Sequence, residues 1–311
     1  MARALTPDQR AGRIASRQHG AISRRQALQA GLTSRQIQSR LRSGRWRRAA
    51  RGVYVLVGTP DTWQQRAMVA VLACPPGSMA SHVTAAALFG LVDPPAVPHV
   101  TIPAGASGLF GAAVVHRSGV DRRDTCTVAG IRCTKPARTL TDCAGVVGYE
   151  VLCDLVDAAL CRDLTTVAGV RLAASRASRA PGRKGIPALE RALEVWTWGP
   201  KPGSPPEMRL ARRLQEWGYP TPERQIEILD EQCNFVARVD CGWREWRLGF
   251  EYDSDKHHGP RQWNTDDERE ARIEALGWRI EPVDKFDLRP SSTRLREFLA
   301  QFFGEEAGRA A

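Results

Sequence analysis

Three acidic residues in the last quarter of the sequence have types and a spacing that suit a metal site. Asp240 ends one run of β-forming residues, and Glu251 and Asp253, two positions apart, end the next. Side chains two apart on a strand share a face, and paired strands lie about 4.8 Å apart, so pairing of these runs brings the carboxylates together. Such a cluster repels itself unless a proton or a cation neutralises it. We therefore predict that the three bind Mg²⁺ or Mn²⁺ at a scissile phosphate; the alternative is exposed strand carboxylates without an ion.

The surrounding pattern predicts the elements that position these residues. The Gly- and Pro-rich segment 199–203 marks a domain boundary, and Ser204, Pro205 and Glu207 have the spacing of a capped helix N-terminus. A helix, three strands, a charged helix and a final strand are predicted at 204–217, 224–229, 235–241, 247–252, 265–276 and 278–283. The order αβββαβ predicts a mixed α/β sheet flanked by helices.

Residues 204–288 resemble the PD-(D/E)XK nuclease fold and, more closely, the very-short-patch-repair-like endonucleases. The matching residues are Gln225, the runs 237–240 (Ala-Arg-Val-Asp) and 250–253 (Phe-Glu-Tyr-Asp), His257, Asp266, Arg269 and the run 276–280 (Leu-Gly-Trp-Arg-Ile). The resemblance implies a restriction-endonuclease-like domain that hydrolyses phosphodiester bonds of DNA with a divalent cation.

The same resemblance assigns a role to each candidate catalytic residue. It makes Asp240 and Glu251 metal ligands, and it places Asp253 where the family usually has a lysine. Glu207 is implied to be the acidic residue of the first helix, although helix capping explains this glutamate equally well. His257 is implied to orient a water molecule or to contact the phosphate.

Further features of the resemblance bear on activity. Arg269 is implied to pair with Asp253 or with the substrate. Ser254 stands where the family usually has glycine, and Asp253 cannot supply the positive charge that a lysine gives to a developing phosphorane. A nuclease fold retained as a non-catalytic DNA clamp is therefore the alternative to an active endonuclease.

The positive charge of the sequence is concentrated at its N-terminal end. The chain of 311 residues has a formal net charge of +11, and residues 1–53 hold thirteen arginines, no lysine and one acid, Asp8. This segment therefore carries +12, and the rest of the chain carries −1. An ordinary exposed surface mixes both signs, so a segment this poor in acids predicts a site for a polyanion such as nucleic acid.

The same segment has the pattern of a winged helix-turn-helix. Three short helices are predicted at 6–18, 23–30 and 33–42. Ser23 with Gln26, and Thr33 with Gln36, have the spacing of capping boxes. A β-rich run at 53–57 follows a turn, as the wing of such a domain does.

The third predicted helix has a polar face that suits DNA recognition. Ile37 and Leu41 are predicted to face the core together with Leu28 and Leu32. The predicted DNA-binding residues lie on the opposite face and around this helix: Arg24, Arg35, Gln38, Arg42, Arg45, Arg47 and Arg48. Arginines so placed contact guanine edges in the major groove and phosphates beside it. The alternative is a basic helical hairpin that docks on a protein.

This N-terminal region resembles the winged helix of the AbiEi-type antitoxins. The resemblance is carried by the runs 19–22 (His-Gly-Ala-Ile), 31–33 (Gly-Leu-Thr), 44–46 (Gly-Arg-Trp) and 51–54 (Arg-Gly-Val-Tyr), and beyond them by 81–86 (Ser-His-Val-Thr-Ala-Ala) and 136–142 (Pro-Ala-Arg-Thr-Leu-Thr-Asp). The family consists of DNA-binding autorepressors of type IV toxin-antitoxin systems. The resemblance therefore implies an operator sequence and raises a cognate toxin as a partner.

The middle of the sequence carries no predicted active site. His82, His99 and His116 fall at scattered positions without a carboxylate partner at motif spacing, and we interpret them as structural histidines. The eight cysteines form no CxxC pair and no zinc-ligand spacing with the histidines, which suits buried thiols in a reducing compartment. The apolar runs are too short for a signal peptide or a membrane span, so we expect a cytoplasmic protein.

The sequence thus predicts a multidomain α+β protein. Its predicted parts are a winged-helix DNA-binding domain (1–60), an AbiEi-like α/β region (61–145), a helical connector (146–200) and a PD-(D/E)XK nuclease-like domain (201–311). We expect it to bind double-stranded DNA and to hydrolyse it with Mg²⁺ or Mn²⁺, without a membrane partner. The alternative is a non-catalytic AbiEi-like antitoxin or repressor, and the sequence leaves a homodimer and a cognate toxin open.

Overall fold

The structure is a computed structural model, and it describes residues 5–107, 111–177, 184–252, 263–289 and 291–310. Side chains are described for the same residues except 263–268 and 305–310. The chain divides into two compact units. The first comprises Met1–Leu155 with Leu164–Glu190, and the second comprises Val156–Asp163 with Arg191–Ala311. Both units contain helices and sheet strands, so this is a multidomain α+β protein.

The N-terminal part of the first unit alternates short helices and short strands. Their bounds are α1 Pro7–Ser16, β1 Ala21–Ser23, α2 Arg24–Gln29, α3 Ser34–Arg42, β2 Trp46–Ala50 and β3 Val53–Leu56. The strands form an antiparallel sheet in the order β1-β3-β2. Each element contributes an apolar side chain to one core, as shown by Ala15, Ile22, Ala27, Ile37, Trp46 and Tyr54.

Local hydrogen bonds fix where these helices begin. At α2 the Ser23 hydroxyl accepts from the Gln26 backbone N–H, and the Gln26 side chain accepts from the Ser23 N–H, as the sequence predicts. Thr33 and Gln36 form the same reciprocal pair at α3. A cap contributes about 1 kcal/mol to helix stability. The caps therefore help α2 to form although it has only six residues, a length at which isolated helices do not persist.

One side chain of this region departs from the predicted pattern. Leu28, predicted to face the core, is 37% exposed. The reason is that α2 packs on the core through Ala27 and Ala30, which turns Leu28 outward. Arg40 of α3 is buried, and its guanidinium pairs with Asp8 of α1.

The remainder of the first unit is built around a second sheet. The helices and strands that follow β3 are α4 Trp63–Ala73, β4 Met79–Ala80, α5 His82–Leu88, β5 His99–Ile102, β6 Val114–Arg117, β7 Thr125–Val128, β8 Ile131–Thr134, α6 Pro136–Cys143, α7 Tyr149–Cys161, α8 Val167–Ala177 and α9 Ile186–Glu194. The division between the two units falls within α7, after Leu155, and within α9, after Glu190. The sheet order is β6-β5-β4-β8-β7. Strand β5 is parallel to β6 and β4 to β8, whereas β4–β5 and β7–β8 are antiparallel.

The second unit contains the predicted αβββαβ order and a further helix. Its elements after α9 are α10 Pro205–Glu216, β9 Glu223–Leu229, β10 Phe235–Trp243, β11 Leu248–Tyr252, α11 Trp263–Ala275, β12 Arg279–Val283 and α12 Arg294–Ala310. The sheet order is β12-β11-β10-β9, with β11 parallel to β12 and the other pairs antiparallel, so the predicted mixed sheet is confirmed. Helix α11 packs on the sheet through Ile273, and α10 and α12 pack on it through Leu210 and Leu299.

The cysteines are free thiols, and five of the eight are buried. Burial raises the pKa of the Cys74 thiol to about 11, which keeps it protonated and unreactive at neutral pH. Across the parts of the chain that the structure describes, we find no helix with the length and apolar composition that crossing a bilayer requires.

Candidate functional site

The exposed side of α3 carries the polar residues predicted for DNA contact. Arg35, Gln38 and Arg42 are all exposed, and their spacing of three and four places them along one side of the helix. Ile37 and Arg40 lie on the other side and are buried. The helix therefore presents a basic strip with both hydrogen-bond donors and acceptors to the solvent.

Asp8, the one acidic residue of segment 1–53, pairs with Arg40, a buried arginine of α3. Asp8 Oδ1 accepts from Arg40 Nε at 2.8 Å and also pairs with Nη2 of that guanidinium. Arg40 donates in addition to the carbonyl of Gln36 at 2.7 Å, which ties α1 to α3. Since Asp8 is the sole acid of residues 1–53, nothing within that segment offsets the charge of Arg35 and Arg42.

Two of the predicted arginines lie at the ends of α3. Arg24 Nη2 donates to Ser34 Oγ at 2.8 Å, next to the start of the helix. Arg45 Nε donates to Ser43 Oγ at 3.2 Å, just beyond its end. Both partners are neutral hydroxyl groups, so the two guanidiniums keep their net charge for an anion.

Two further predicted arginines lie on β2. Arg48 is exposed, and Arg47 Nη2 donates to Gln65 Oε1 at 2.9 Å. Gln65 is buried on α4 and donates to the backbone carbonyl of His19 at 2.8 Å and to that of Pro60 at 3.0 Å. This network holds the side chain of Arg47 against α4.

In the second unit, strand pairing sets two of the predicted metal ligands opposite each other. Strands β10 and β11 are antiparallel, with Cys241 paired to Phe250, and this register continued by one residue places Asp240 opposite Glu251. Asp240 Oδ2 accepts from the backbone N–H of Tyr252 at 2.8 Å. The two carboxylates therefore lie at the same end of the β10–β11 hairpin.

Asp240 has the perturbed acidity expected of a clustered carboxylate. Burial raises the pKa of Asp240 to about 6, the hydrogen bond from Tyr252 opposes that rise, and the charges of Glu207 and Glu251 add to it. The charges of Glu207 and Glu251 thus both act on Asp240. In the absence of a cation, this neighbourhood favours the protonated form of Asp240.

Glu207 on α10 is buried and held by two donors. Its Oε2 accepts from the Gly203 N–H and from Gln225 Nε2, both at 2.8 Å. Ser204 is the N-cap residue, yet its hydroxyl makes no capping bond, so the predicted capping box is wrong. The capping box does not form because the Glu207 carboxylate accepts from the N–H of Gly203 and not from that of Ser204.

Gln225, which donates to Glu207, has a backbone φ of +49°, which is uncommon for a residue with a side chain.

Glu251 pairs with a cation supplied by the protein. Its carboxylate forms an ion pair with the guanidinium of Arg269 on α11. The sequence predicted Asp253 or the substrate as the partner of Arg269, and Glu251 is a partner that it did not predict. Both residues line an open cavity of about 630 Å³ together with Ile273, Trp278 and other residues of α11 and β12. Asp253, Ser254 and His257 lie outside the described residues.

Sequence reasoning missed a second cluster of ligand-bearing side chains. His82, His99 and His116, interpreted from the sequence as scattered, meet in the first unit, and one potential ligand atom of each lies within 4.8 Å of the others. In the part of the chain that the structure describes, Glu207, Asp240 and Glu251 form no such group. The available signal was a histidine in each of two neighbouring β-forming runs, 98–102 and 113–116.

The N-terminal segment combines a capped pair of helices, a basic outer face and a small sheet. Residues 9–57 match the family described as "Transcriptional regulator, AbiEi antitoxin". The predicted AbiEi resemblance is therefore confirmed over this segment, which is an AbiEi antitoxin-type domain. The match indicates a DNA-binding transcriptional regulator or antitoxin.

Relatives in Mycobacterium tuberculosis share most of the chain. The uncharacterized proteins Rv2248 and MT2308, from two strains, are each 28% identical to it over 281 residues, which cover 87% of this chain and 97% of the relative. The likeness therefore includes residues of both compact units. The description of these relatives assigns them no activity.

Proposed function

We propose that this protein is a DNA-binding transcriptional regulator of the AbiEi antitoxin type whose N-terminal segment acts as a winged helix-turn-helix. The observation that carries the proposal is the exposed strip of Arg35, Gln38 and Arg42, on a helix inside the family-matched segment. In the proposal α3 enters the major groove of double-stranded DNA. There an arginine binds guanine in a bidentate manner and a glutamine binds adenine.

The β2–β3 hairpin serves as the wing in this proposal. Arg48 and Arg51 are exposed on it, and its turn has Gly52 at a φ of +70°, a conformation that glycine adopts at little cost. Arg47 is held on Gln65 beside them. Such arginines bind phosphates and set the register of α3 without reading sequence.

The test is the binding of the full-length protein to the DNA upstream of its own gene. Fluorescence anisotropy measures the affinity at a series of salt concentrations. We expect log affinity to fall linearly with log salt, by about 0.9 for each phosphate neutralised. Arg35→Ala and Arg42→Ala each lower the affinity about tenfold, since one good base contact is worth roughly 1–3 kcal/mol.

Arg171→Ala is the matched control, because it also removes one exposed arginine, on α8, where Arg171 pairs with Glu190. We expect this substitution to change the affinity for DNA by no more than about twofold, because a charge that does not touch the DNA is screened by salt. Salt-insensitive binding, or an equal loss in the control, contradicts the proposal.

A second function is proposed for the second unit, a metal-dependent DNA endonuclease related to the very-short-patch-repair-like enzymes. The observation that favours it is the pairing of β10 with β11, which sets Asp240 opposite Glu251, with Glu207 acting on Asp240. The donor set consists of carboxylate oxygens, which fits a hard divalent cation such as Mg²⁺ or Mn²⁺. A bound cation also favours the charged form of Asp240 and so opposes the burial and the carboxylate repulsion that raise its pKa.

The proposed roles follow from these contacts. Asp240 and Glu251 hold the cation, which supplies Lewis-acid stabilisation of phosphate oxygens when it is bound. Arg269 leaves Glu251 to the cation and contacts the phosphate of the substrate. Asp253 is proposed to hold a second cation or to position the attacking water. By the sequence resemblance, His257 orients a water molecule or contacts the phosphate.

Nicking of supercoiled DNA in Mg²⁺ or Mn²⁺ tests the endonuclease proposal. Wild type is expected to nick, and Asp240→Asn, of nearly the same shape, to lose at least 100-fold in rate. Glu227→Gln is the matched control, because this exposed glutamate of β9 pairs with Arg238 on the same sheet. If wild type does not cleave, the domain is a non-catalytic DNA clamp of the regulator. If Asp240→Asn cleaves as fast as wild type, Asp240 does not hold a catalytic cation, and the proposed site is wrong.

A further inference from the structure

Three histidines from three different elements meet in the first unit. His82 begins α5, His99 begins β5 and His116 lies in β6. Strands β5 and β6 are parallel, with His116 paired to Thr101, so His99 and His116 project from neighbouring strands. The Ser81 N–H donates to the His99 carbonyl at 3.1 Å, which brings the start of α5 to the same place.

The imidazole rings are packed against one another. The ring centroids of His82 and His116 are 3.5 Å apart, and those of His99 and His116 are 5.2 Å apart. His99 Nδ1 lies 3.1 Å from His116 Nε2. Zinc at about 2.0–2.1 Å from each ligand of a tetrahedral site places the ligand nitrogens about 3.3–3.4 Å apart, so one edge of such a site is already formed.

The third histidine needs a small adjustment to complete the set. One ring nitrogen of each histidine lies within 4.8 Å of a ring nitrogen of each of the other two. Reaching the spacing of a tetrahedral site therefore takes a shift of about 1.4 Å or less. The rings of His82 and His116 are stacked with an interplanar angle of 18°, so one of them also turns for the two in-plane lone pairs to meet at one ion.

A chain of hydrogen bonds orients the ring of His82 in the way that metal-binding histidines are oriented by their hydrogen-bond partners. Thr101 Oγ1 donates to Ser81 Oγ at 2.7 Å, and Ser81 Oγ lies 2.9 Å from His82 Nδ1. All three side chains are buried. A metal-bound histidine typically donates its non-ligating N–H to a fixed oxygen, so this contact assigns Nδ1 to Ser81 and Nε2 to the ion.

The surroundings favour the neutral form of the imidazoles. Burial lowers the pKa of His99, and burial together with the charge of His99 lowers the pKa of His116 to about 4. Neutral imidazole is the form that binds a metal. Each neutral ring still has one N–H, and His99 Nδ1 and His116 Nε2 share one hydrogen, which moves to the other nitrogen of its own ring when both atoms act as ligands.

We propose that His82, His99 and His116 bind a divalent transition-metal ion of the zinc class. Imidazole nitrogen is a ligand for Zn²⁺, Cu²⁺ or Ni²⁺, whereas Mg²⁺ takes oxygen ligands, so this site is chemically separate from the proposed carboxylate site. Three protein ligands leave a fourth position for water or an outside ligand. The bound ion ties α5 to β5 and β6.

The test is a Zn²⁺ titration of full-length protein, stripped with a chelator and dialysed, in competition with a chromophoric chelator and with excess Mg²⁺ present. We expect wild type to bind one more equivalent of Zn²⁺ than His99→Asn or His116→Asn. Ser81→Ala keeps that equivalent but binds it at least 10-fold more weakly, because the ring of His82 loses the oxygen that orients it.

His19→Asn is the matched control, because it removes a histidine outside the cluster and asparagine tolerates the positive φ of +54° found there. It binds Zn²⁺ as wild type does. Equal stoichiometry and affinity in wild type, His99→Asn and His116→Asn overturn the proposal. Because a variant that fails to fold would also lose the ion, Co²⁺ is added to wild type as well. The visible absorption of four-coordinate Co²⁺ is expected, and its absence overturns the proposal.

Discussion

The histidine cluster of the first unit and the carboxylate site of the second both gather partly buried ligand groups, and burial acts on them in opposite senses. It lowers the pKa of His99 and His116 and so keeps the rings uncharged. It raises the pKa of Asp240, and the charges of Glu207 and Glu251 add to that rise. Neutral donors therefore become easier to pack together when buried, and charged donors become harder.

The contacts within the two sites reflect this difference between neutral and charged ligands. The imidazoles are in ring contact, with His82 and His116 3.5 Å apart by centroid. The carboxylates are each held by a donor from the protein: Asp240 by the Tyr252 N–H, Glu207 by Gly203 and Gln225, and Glu251 by Arg269. A site of neutral ligands can be assembled before its ion arrives, whereas a site of anions is held by substitute donors that the ion must displace.

The largest expected effect that tests this comparison is stabilisation by Zn²⁺. At a free concentration 100 times its dissociation constant, the ion raises the free energy of unfolding by about 2.7 kcal/mol, and less if the unfolded thiols also bind it. The measurement is urea denaturation of chelator-stripped protein with and without Zn²⁺. His116→Asn is the control and gains nothing. Equal stabilisation of wild type by Mg²⁺ and Zn²⁺ would erase the distinction between the two sites.

The next effect is a pH dependence of stability that comes from Asp240. Its folded pKa of about 6 lies above its unfolded value, so between about pH 4 and pH 6 the folded form holds a proton that the unfolded form has released. Stability from this group therefore falls as pH rises through that window, by on the order of 2 kcal/mol in EDTA.

Asp240→Asn removes this dependence, because asparagine does not titrate. The measurement is the denaturation midpoint of wild type and variant at four pH values from 4 to 7. Parallel pH profiles for the two proteins would show that the carboxylate is not destabilised in the folded state, and the contrast with the histidines would fail.

A smaller effect is expected from removing the arginine that neutralises Glu251. Arg269→Met keeps much of the side-chain volume and leaves Glu251 without its partner. Because both groups are about one-third exposed, the loss of stability without metal is under about 1 kcal/mol, while the affinity for Mg²⁺ rises about fivefold. Arg272→Met on the same helix is the control, since Arg272 lies near Asp230. An unchanged Mg²⁺ affinity would mean that Arg269 does not compete with a cation.

Local rules explain what the sequence predicted well. The capping boxes at Ser23 and Thr33 link residues three apart, and the outward face of α3 follows from helical spacing alone. The β10–β11 pairing was also predictable, because a short connection leaves two adjacent strands few alternatives. The prediction that Leu28 faces the core was wrong because α2 has only six residues, too few for helical periodicity to determine which side faces the core.

The features that the sequence did not predict depend on contacts between residues that lie far apart in the chain. Strand β4 has two residues, Met79 and Ala80, and it exists because β5 and β8 pair with it on either side. His99 and His116 meet because β5 and β6 are parallel, which requires a crossover that spacing in sequence does not specify. The ion pair of Arg269 with Glu251 likewise depends on how α11 lies on the sheet.

The smallest expected effect concerns the acid of the basic N-terminal segment, where the protein again balances charge internally. Asp8→Asn leaves Arg40 without its carboxylate and raises the net charge by one. We expect DNA affinity at low salt to rise about twofold, with no difference at high salt, because the gain is a screened surface charge. Asp61→Asn, which releases the exposed Arg66 and changes the charge equally, is the control. If Asp8→Asn instead weakens binding at all salt concentrations while the control does not, the Asp8–Arg40 pair positions α3, and its geometry matters more to DNA binding than its charge.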